Sequence, residues 1–343
     1  MVSRLTVRPF TANHLPRAAE LLASRHRRDM ERVPHLEPAL REVVNARELL
    51  QKVASNPRAD GVVGERGGAL VGVLFGQRMD LSPLELASMF IPPHSISVPV
   101  EGHAVEAEDD VVEVYRAMYG ELAAAWVEDG YFVHRVAVVP NDPVVQEAWV
   151  SLGFGRHITA ATRPTNLPVS GKFAVKPDIR SVSPEEIDDV MQLADGLNAH
   201  HWGSPIFWPV LPVVAPAARE YNLSLLRGGG EPYFVAYQDG LPVAMQTFAK
   251  PGFTPPIVAA ARDVYLFEGV TTESARGTGL GATILSHAMD WAQSAGMETC
   301  TLHFASANGS GATFWLGHGF IPVEHGMQRT IDPRVAWARP KAT

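Results

Sequence analysis

The sequence repeats itself, and no other feature constrains the fold as much. Val7-Arg8-Pro9-Phe10-Thr11 returns 172 residues later as Ile179-Arg180-Ser181-Val182-Ser183. Each segment reads as a short strand followed by a hydroxyl residue placed to cap a helix. The helices predicted next, Leu15 to Ala23 and Ile187 to Ala194, carry apolar residues at three-to-four spacing. Pro34 and Pro38 match Pro205 and Pro209, and Ala69-Leu70-Val71-Gly72 matches Leu241-Pro242-Val243-Ala244. Trp149-x-x-x-Gly153-Phe154 returns as Trp315-x-x-x-Gly319-Phe320, at a spacing of 166. Matches in one order at nearly constant spacing mark two copies of one unit. The division predicted is an N-terminal unit at 1–165, an exposed Pro- and Ser-containing linker at 166–175 and a C-terminal unit at 176–343. Each copy reads strand, helix, helix, strands, helix, strand, helix, strand. The fold class is therefore α/β, a mixed sheet with helices on its faces.

Composition narrows the function. Hydrophobic residues make up 46% and charged ones 19%, enough apolar content for a buried core in each unit. The net charge of −8 argues against a nucleic-acid partner, which would need a basic surface. The longest apolar run, Phe207 to Ala218, holds three prolines and is too short to cross a bilayer, so no membrane partner is expected. Met1-Val2-Ser3-Arg4-Leu5 has no apolar signal core, and Cys300 stands alone, which rules out an internal disulfide and a cysteine-built metal site. A cytoplasmic location is the expectation.

The sharpest motif lies in the second copy. Asp263 to Val270 reads as a strand with Val264, Leu266, Glu268 and Val270 on one face. Arg276-Gly277-Thr278-Gly279-Leu280-Gly281 follows, and then an amphipathic helix from Ala282 to about Ala295. Glycines opening a helix let the backbone approach a ligand, and the free N–H groups with the helix dipole favour a phosphate. Three ligand readings compete, beside a glycine turn that holds nothing. A P-loop fails, because Gly281 is followed by Ala282-Thr283 rather than Lys-Ser/Thr. Gly277-x-Gly279-x-x-Ala282 fits the relaxed dinucleotide fingerprint, but the strand ends too early and too little chain follows.

The third reading rests on Arg276-x-x-Gly279-x-Gly281, on Asn308 and on Phe314-Trp315-x-x-x-Gly319-Phe320. Together these residues resemble the cofactor loop and downstream signature of the GNAT acetyltransferase superfamily. The likeness is specific over about residues 262 to 331 and, through the repeat, suggests the tandem type, two GNAT-like units forming a pseudo-dimer in one polypeptide. A single chain mimicking a dimer is expected to suffice as a monomer. The resemblance implies acetyl-CoA as co-substrate, with no metal. Arg276, Gly277, Gly279 and Gly281 would hold its pyrophosphate, and the backbone of Val270 and Thr272 its pantetheine arm. An amide near Val270 would polarise the thioester carbonyl. Asn308 would contact the cofactor arm or cap a helix. The superfamily often has a tyrosine acid where Trp315 stands, so Trp315 is read as packing, with Ser306, Ser310 and His318 as the nearby substitutes.

Glu268 is the candidate general base, because an apolar setting raises a carboxylate's pKa toward neutrality. The other reading of Glu268 is a carboxylate paired with an arginine or a backbone amide. In the first copy the loop position reads Val105-Glu106-Ala107-Glu108-Asp109-Asp110, which has no glycine and would repel a pyrophosphate. That copy is expected to be a scaffold completing the acceptor cleft. His200, His201 and Trp202 are the candidate acceptor-side residues, and packing under the sheet is the competing reading. The activity implied is direct N-acetylation of a small-molecule amine. The alternatives are a non-catalytic acyl-CoA-binding protein, another acyl donor, or a hydroxyl acceptor.

Overall fold

The computed structural model describes residues 4–107, 109–140, 142–174 and 177–338. Glu108 of the first-copy loop, the linker's end at Val175, and Lys176 lie outside the described residues. The first half opens with β1 (Leu5–Pro9), α1 (Leu15–Met30) and α2 (Val43–Ala54). Three-to-four spacing turns Leu15, Ala18, Leu21 and Leu22 of α1 inward. A hairpin of β2 (Ala59–Arg66) and β3 (Ala69–Met79) turns at Gly67-Gly68, both at positive φ. Then come β4 (Ser95–Val98), β5 (His103–Val105), α3 (Val111–Glu128), β6 (Val133–Val138), α4 (Pro143–Ser151) and β7 (Gly155–Pro164).

The second half runs through the same order. It begins with β8 (Asp178–Ser181), α5 (Ile187–Trp202), α6 (Ala215–Gly228), β9 (Tyr233–Gln238) and β10 (Leu241–Ala249). It continues with β11 (Asp263–Thr271), α7 (Leu280–Ser294), β12 (Thr299–Ala305), α8 (Gly309–Gly317) and β13 (Ile321–Thr330).

Among the described residues the strands join one 13-stranded sheet in the order β1-β2-β3-β4-β6-β13-β7-β12-β11-β10-β9-β8, with β5 beside β3. The two halves exchange their last strands. β7 pairs with β12 from Pro164 opposite Thr299 to Ile158 opposite Ala305, while β13 pairs with β6 and with β7. A buried hydroxyl pair, Thr162 with Thr301 at 2.8 Å, ties the exchanged strand in place. Val33, Leu36, Val139, Ile257, Val258 and Val323 build a core cluster across the joint.

Each half contains one parallel pair, and both pairs are short. β4 runs with β6 only from Ile96 to Val98, and β11 with β12 only from Asp263 to Leu266. Beyond those points the strands part, which opens a cleft in the sheet. The linker is exposed over most of its described length, as its composition suggests, but it is anchored at two residues. Val169 and Ala174 pack against the core of the second half, and the Ala174 amide donates to Thr283 Oγ1 at 2.8 Å.

Candidate active site

The register of β10 with β11 sets the site. Thr247 stands opposite Glu268 and Phe248 opposite Leu266, so Phe267 is the extra residue of a β-bulge. Paired residues share a face, and adjacent residues on β10 face opposite ways. Leu266 therefore lies on the α7 side, in the core with Val264, Phe248 and Ile284. Glu268 lies on the other side with Thr247, and Val270 with Met245. The single apolar face expected for Val264, Leu266, Glu268 and Val270 is thus divided, because the bulge reverses the alternation. Glu268 Oε2 is buried with no hydrogen-bond partner among the described residues, and burial pushes the carboxyl up to about 7.

The same register decides which backbone groups reach the cleft. The Thr272 amide donates to Val243 O at 2.9 Å, and the Glu268 amide to Thr247 Oγ1 at 3.1 Å. Alternation along an antiparallel pair then turns the N–H and C=O of Val270 toward β10. Those of Gly269 and Thr271 turn the opposite way, into the gap left by β12. The expectation that Val270 and Thr272 offer backbone groups to the cleft is off by one residue. Trp315 is a packing residue, 9% exposed, and a Cβ on Gly269 would meet its ring at 2.9 Å.

At the end of β11 the glycine loop opens α7 with Gly277 at φ 72 and Gly279 at φ 93. No side chain caps α7, so the first-turn amides stay available to a ligand. A Cβ on Gly277 would find open space, whereas one on Gly281 would meet the Phe314 ring at 3.1 Å. Gly279 is needed for another reason. Its Cβ would stand 2.6 Å from Lys172 O of the linker. Arg276 is exposed, and its Nε donates to Thr271 O at 3.2 Å.

One cavity of about 790 Å³ joins these parts. It runs from Arg276, Gly277, Gly279 and Gly281 past Gly269 and Glu268, and ends among side chains of both halves. Phe90, Trp208, Phe253, Tyr265 and Phe267 line its far end with Arg135, His303 and Glu324. Pairing puts His303, Ala160 and Glu324 in one row across β12, β7 and β13, so their side chains share the cavity face. Burial and the negative charge of Glu101 push the Glu324 carboxyl up to about 8. Burial holds His303 down to about 4, and Tyr265 OH lies 2.8 Å from its Nδ1.

Residues 197–320 match the model of the Acetyltransferase (GNAT) family. This chain carries a GNAT acetyltransferase domain. The match supports acyl transfer as the activity of this stretch. No curated protein matches the sequence. Among solved structures, a GCN5-related N-acetyltransferase from Sphaerobacter thermophilus superposes with a TM-score of 0.59 at 11% identity, covering 96% of this chain and 96% of that one. The GCN5-related glucosamine N-acetyltransferase region of a fungal multi-domain GH3 β-N-acetylglucosaminidase gives a TM-score of 0.54 at 11% identity, covering 95% of this chain and 38% of that one. At such identity the likeness is one of fold, and it spans both halves.

The remaining expected residues divide within this GNAT domain. His200 and His201 line the cavity from α5, and burial holds His201 down to about 4. Trp202 turns outward, 51% exposed, away from the cavity lining. Asn308 lines the cavity and also caps α8, its Oδ1 accepting from the Gly311 amide and Ser310 Oγ at 3.0 Å. His318 and Ser310 reach the cavity, whereas Ser306 faces Thr159 Oγ1 at 3.2 Å. Sequence reasoning missed Gly269, Thr271, Arg135, Phe90 and Glu324. Nothing local in the sequence marks them, since strand pairing brings in Gly269, Thr271, Arg135 and Glu324, and Phe90 comes from the connection between β3 and β4. Among the described residues, no group of three or more His, Cys, Asp or Glu could hold a metal.

Proposed function

We propose that the chain transfers the acetyl group of acetyl-CoA to the amine of a small molecule, in the cleft of its C-terminal unit at 176–343. The observation that carries this reading is the continuous cavity from the glycine loop, past the parted strands, to an unpartnered carboxyl. The residues fit the co-substrate. Arg276, Gly277 and the first-turn amides of α7 would hold its pyrophosphate. The cleft-facing backbone of Gly269 and Thr271 would hydrogen-bond the pantetheine arm. Acetyl-CoA supplies the activated acyl group when bound. The Gly269 N–H supports charge at the carbonyl oxygen as a fixed dipole in a water-poor site.

Glu268 is the base in this reading. An alkylammonium has no lone pair, and a carboxyl titrating near 7 can accept its proton at neutral pH. The attack is direct, so Cys300, buried in the α7-side core, takes no part. The N-terminal unit at 1–165 contributes Phe90 and Arg135 to the acceptor end, so both units build the pocket within one chain. Release of free CoA thiol, followed with a panel of amines and matched alcohols, tests the proposal. Turnover restricted to amines with acetyl-CoA is expected. Binding without turnover would leave an acyl-CoA-binding protein, and turnover only of alcohols or longer acyl chains would redirect the donor or acceptor assignment.

A further inference from the structure

The linker at 166–175 touches the cofactor loop at three points. Its backbone covers Gly279, where a Cβ would stand 2.6 Å from Lys172 O and 2.9 Å from Phe173 C. The Ala174 amide is bonded to Thr283 in the first turn of α7. Between these anchors Lys172 Nζ reaches back to Gly277 O at 3.4 Å, and Lys172 lines the same cavity as Arg276. Lys172 is exposed, and among the described residues that long contact is its only hydrogen bond and it forms no ion pair. An ammonium has three donors, so most of its capacity is unused.

We propose that Lys172 is a second phosphate-binding cation, supplied to the CoA pyrophosphate by the linker of the same chain. The inference rests on the acyl-CoA reading above and extends it to a segment outside the glycine loop. Arg276 stands in the glycine loop and Lys172 in the linker, and both line the same cavity, so a diphosphate held there meets charge from two elements. The docked linker backbone fixes the Lys172 Cα, which lowers the entropy lost when its side chain closes on the ligand. CoA binding and linker docking are then coupled, and each favours the other by the same factor.

Calorimetry with CoA and with pantetheine, which has no phosphate, tests this on the full chain. Lys172→Ala should weaken CoA binding by about 3-fold and Lys172→Glu by about 10-fold or more, with the loss shrinking at high salt. Lys172→Arg should restore affinity, Lys250→Ala should leave it unchanged, and pantetheine binding should not respond to any of them. CoA should also slow chymotryptic cleavage after Phe173 in the wild type but not in Lys172→Glu. Unaltered or tighter CoA binding in Lys172→Glu, or an equal loss for pantetheine, would overturn the proposal. Failure of the wild type to bind CoA at all would instead overturn the cofactor reading, and the role of Lys172 with it.

Discussion

The two clefts of this molecule lie in the same fold and differ first at one register position. His103 stands opposite Leu74 as Gly269 stands opposite Gln246, and Leu74 and Gln246 are themselves 172 residues apart. In the second half the glycine leaves the gap open, with about 790 Å³ beside it. In the first half the imidazole fills the gap. His103 is fully buried, bonded to Tyr115 OH at 2.8 Å and to Ala137 O at 2.9 Å, so it spans from β5 to β6. Arg25 occupies the carbonyls of Val100 and His103, the latter at the place where Gly269 faces the cleft. What remains is a void of about 10 Å³.

The loops differ in the same way. Glu106 is paired with Arg17 at 2.5 Å, Asp109 with Arg66 at 3.0 Å, and Asp110 caps α3. Glu106 and Asp109 are thus paired with arginines from other elements, and residues 105–110 hold no glycine to present amides to a ligand. A GNAT-like frame thus permits a cofactor cleft without creating one. The side chain at one register position and the glycines of one loop distinguish the open cleft from the filled one.

The largest expected effect comes from closing the working loop. Gly279→Val puts a branched side chain at φ 93 and against Lys172 O, so CoA affinity should fall by more than about 100-fold. Calorimetry of the wild type should give one CoA per chain, and two equivalent sites would break the comparison outright. Gly269→His copies the first-half cleft into the second. It should weaken CoA binding by roughly 100-fold with the Trp315 ring shifted from its place against residue 269, circular dichroism checking that the fold survives. Retained binding in that variant would show that His103 is not what closes its own cleft.

Glu268→Gln sharpens the comparison at the level of chemistry. It keeps the shape but accepts no proton, so kcat/KM should drop about 100-fold with CoA affinity unchanged. Activity of the wild type should fall as pH drops through about 7, and that limb should vanish in the variant. An unchanged profile would assign Glu268 a structural role. Phe90→Ala removes a first-half side chain from the acceptor wall. It should raise the KM for the acceptor about 10-fold, with little change in kcat. No change would reduce the first half to a support for the sheet.

The smallest effect is on stability. Glu268 titrates near 7 in the fold against an ordinary 4.5, so between these values the folded state holds the extra proton. Stability contributed by that proton is present below pH 4.5 and is lost as pH rises through 7. Glu268→Gln should therefore raise Tm by about 2–4 °C at pH 8 and leave it unaltered at pH 4. Glu101→Gln, at a first-half carboxyl outside the cavity lining, is the control. Burial raises the Glu101 carboxyl as well, so the sign of its pH effect should be the same.

Two copies, their element order and the glycine loop were legible in the sequence. The strand predicted from Asp263 to Val270 is β11, and the helix predicted from Ala282 is α7, which starts at Leu280. Such features are written by neighbouring residues, through apolar period, turn chemistry and glycine placement, so a local reading recovers them. Tertiary structure alone decided the rest. The bulge at Phe267 moved Glu268 to the face opposite Leu266, and hydrogen-bond parity gave the cleft to Gly269 and Thr271 rather than Val270 and Thr272. The exchange of β7 and β13 brought Glu324 into one row with His303 and put Arg135 on the same cavity. Register between distant strands is set by the summed packing of whole elements. No short window of residues contains that sum, and a shift of one residue turns every side chain to the other face.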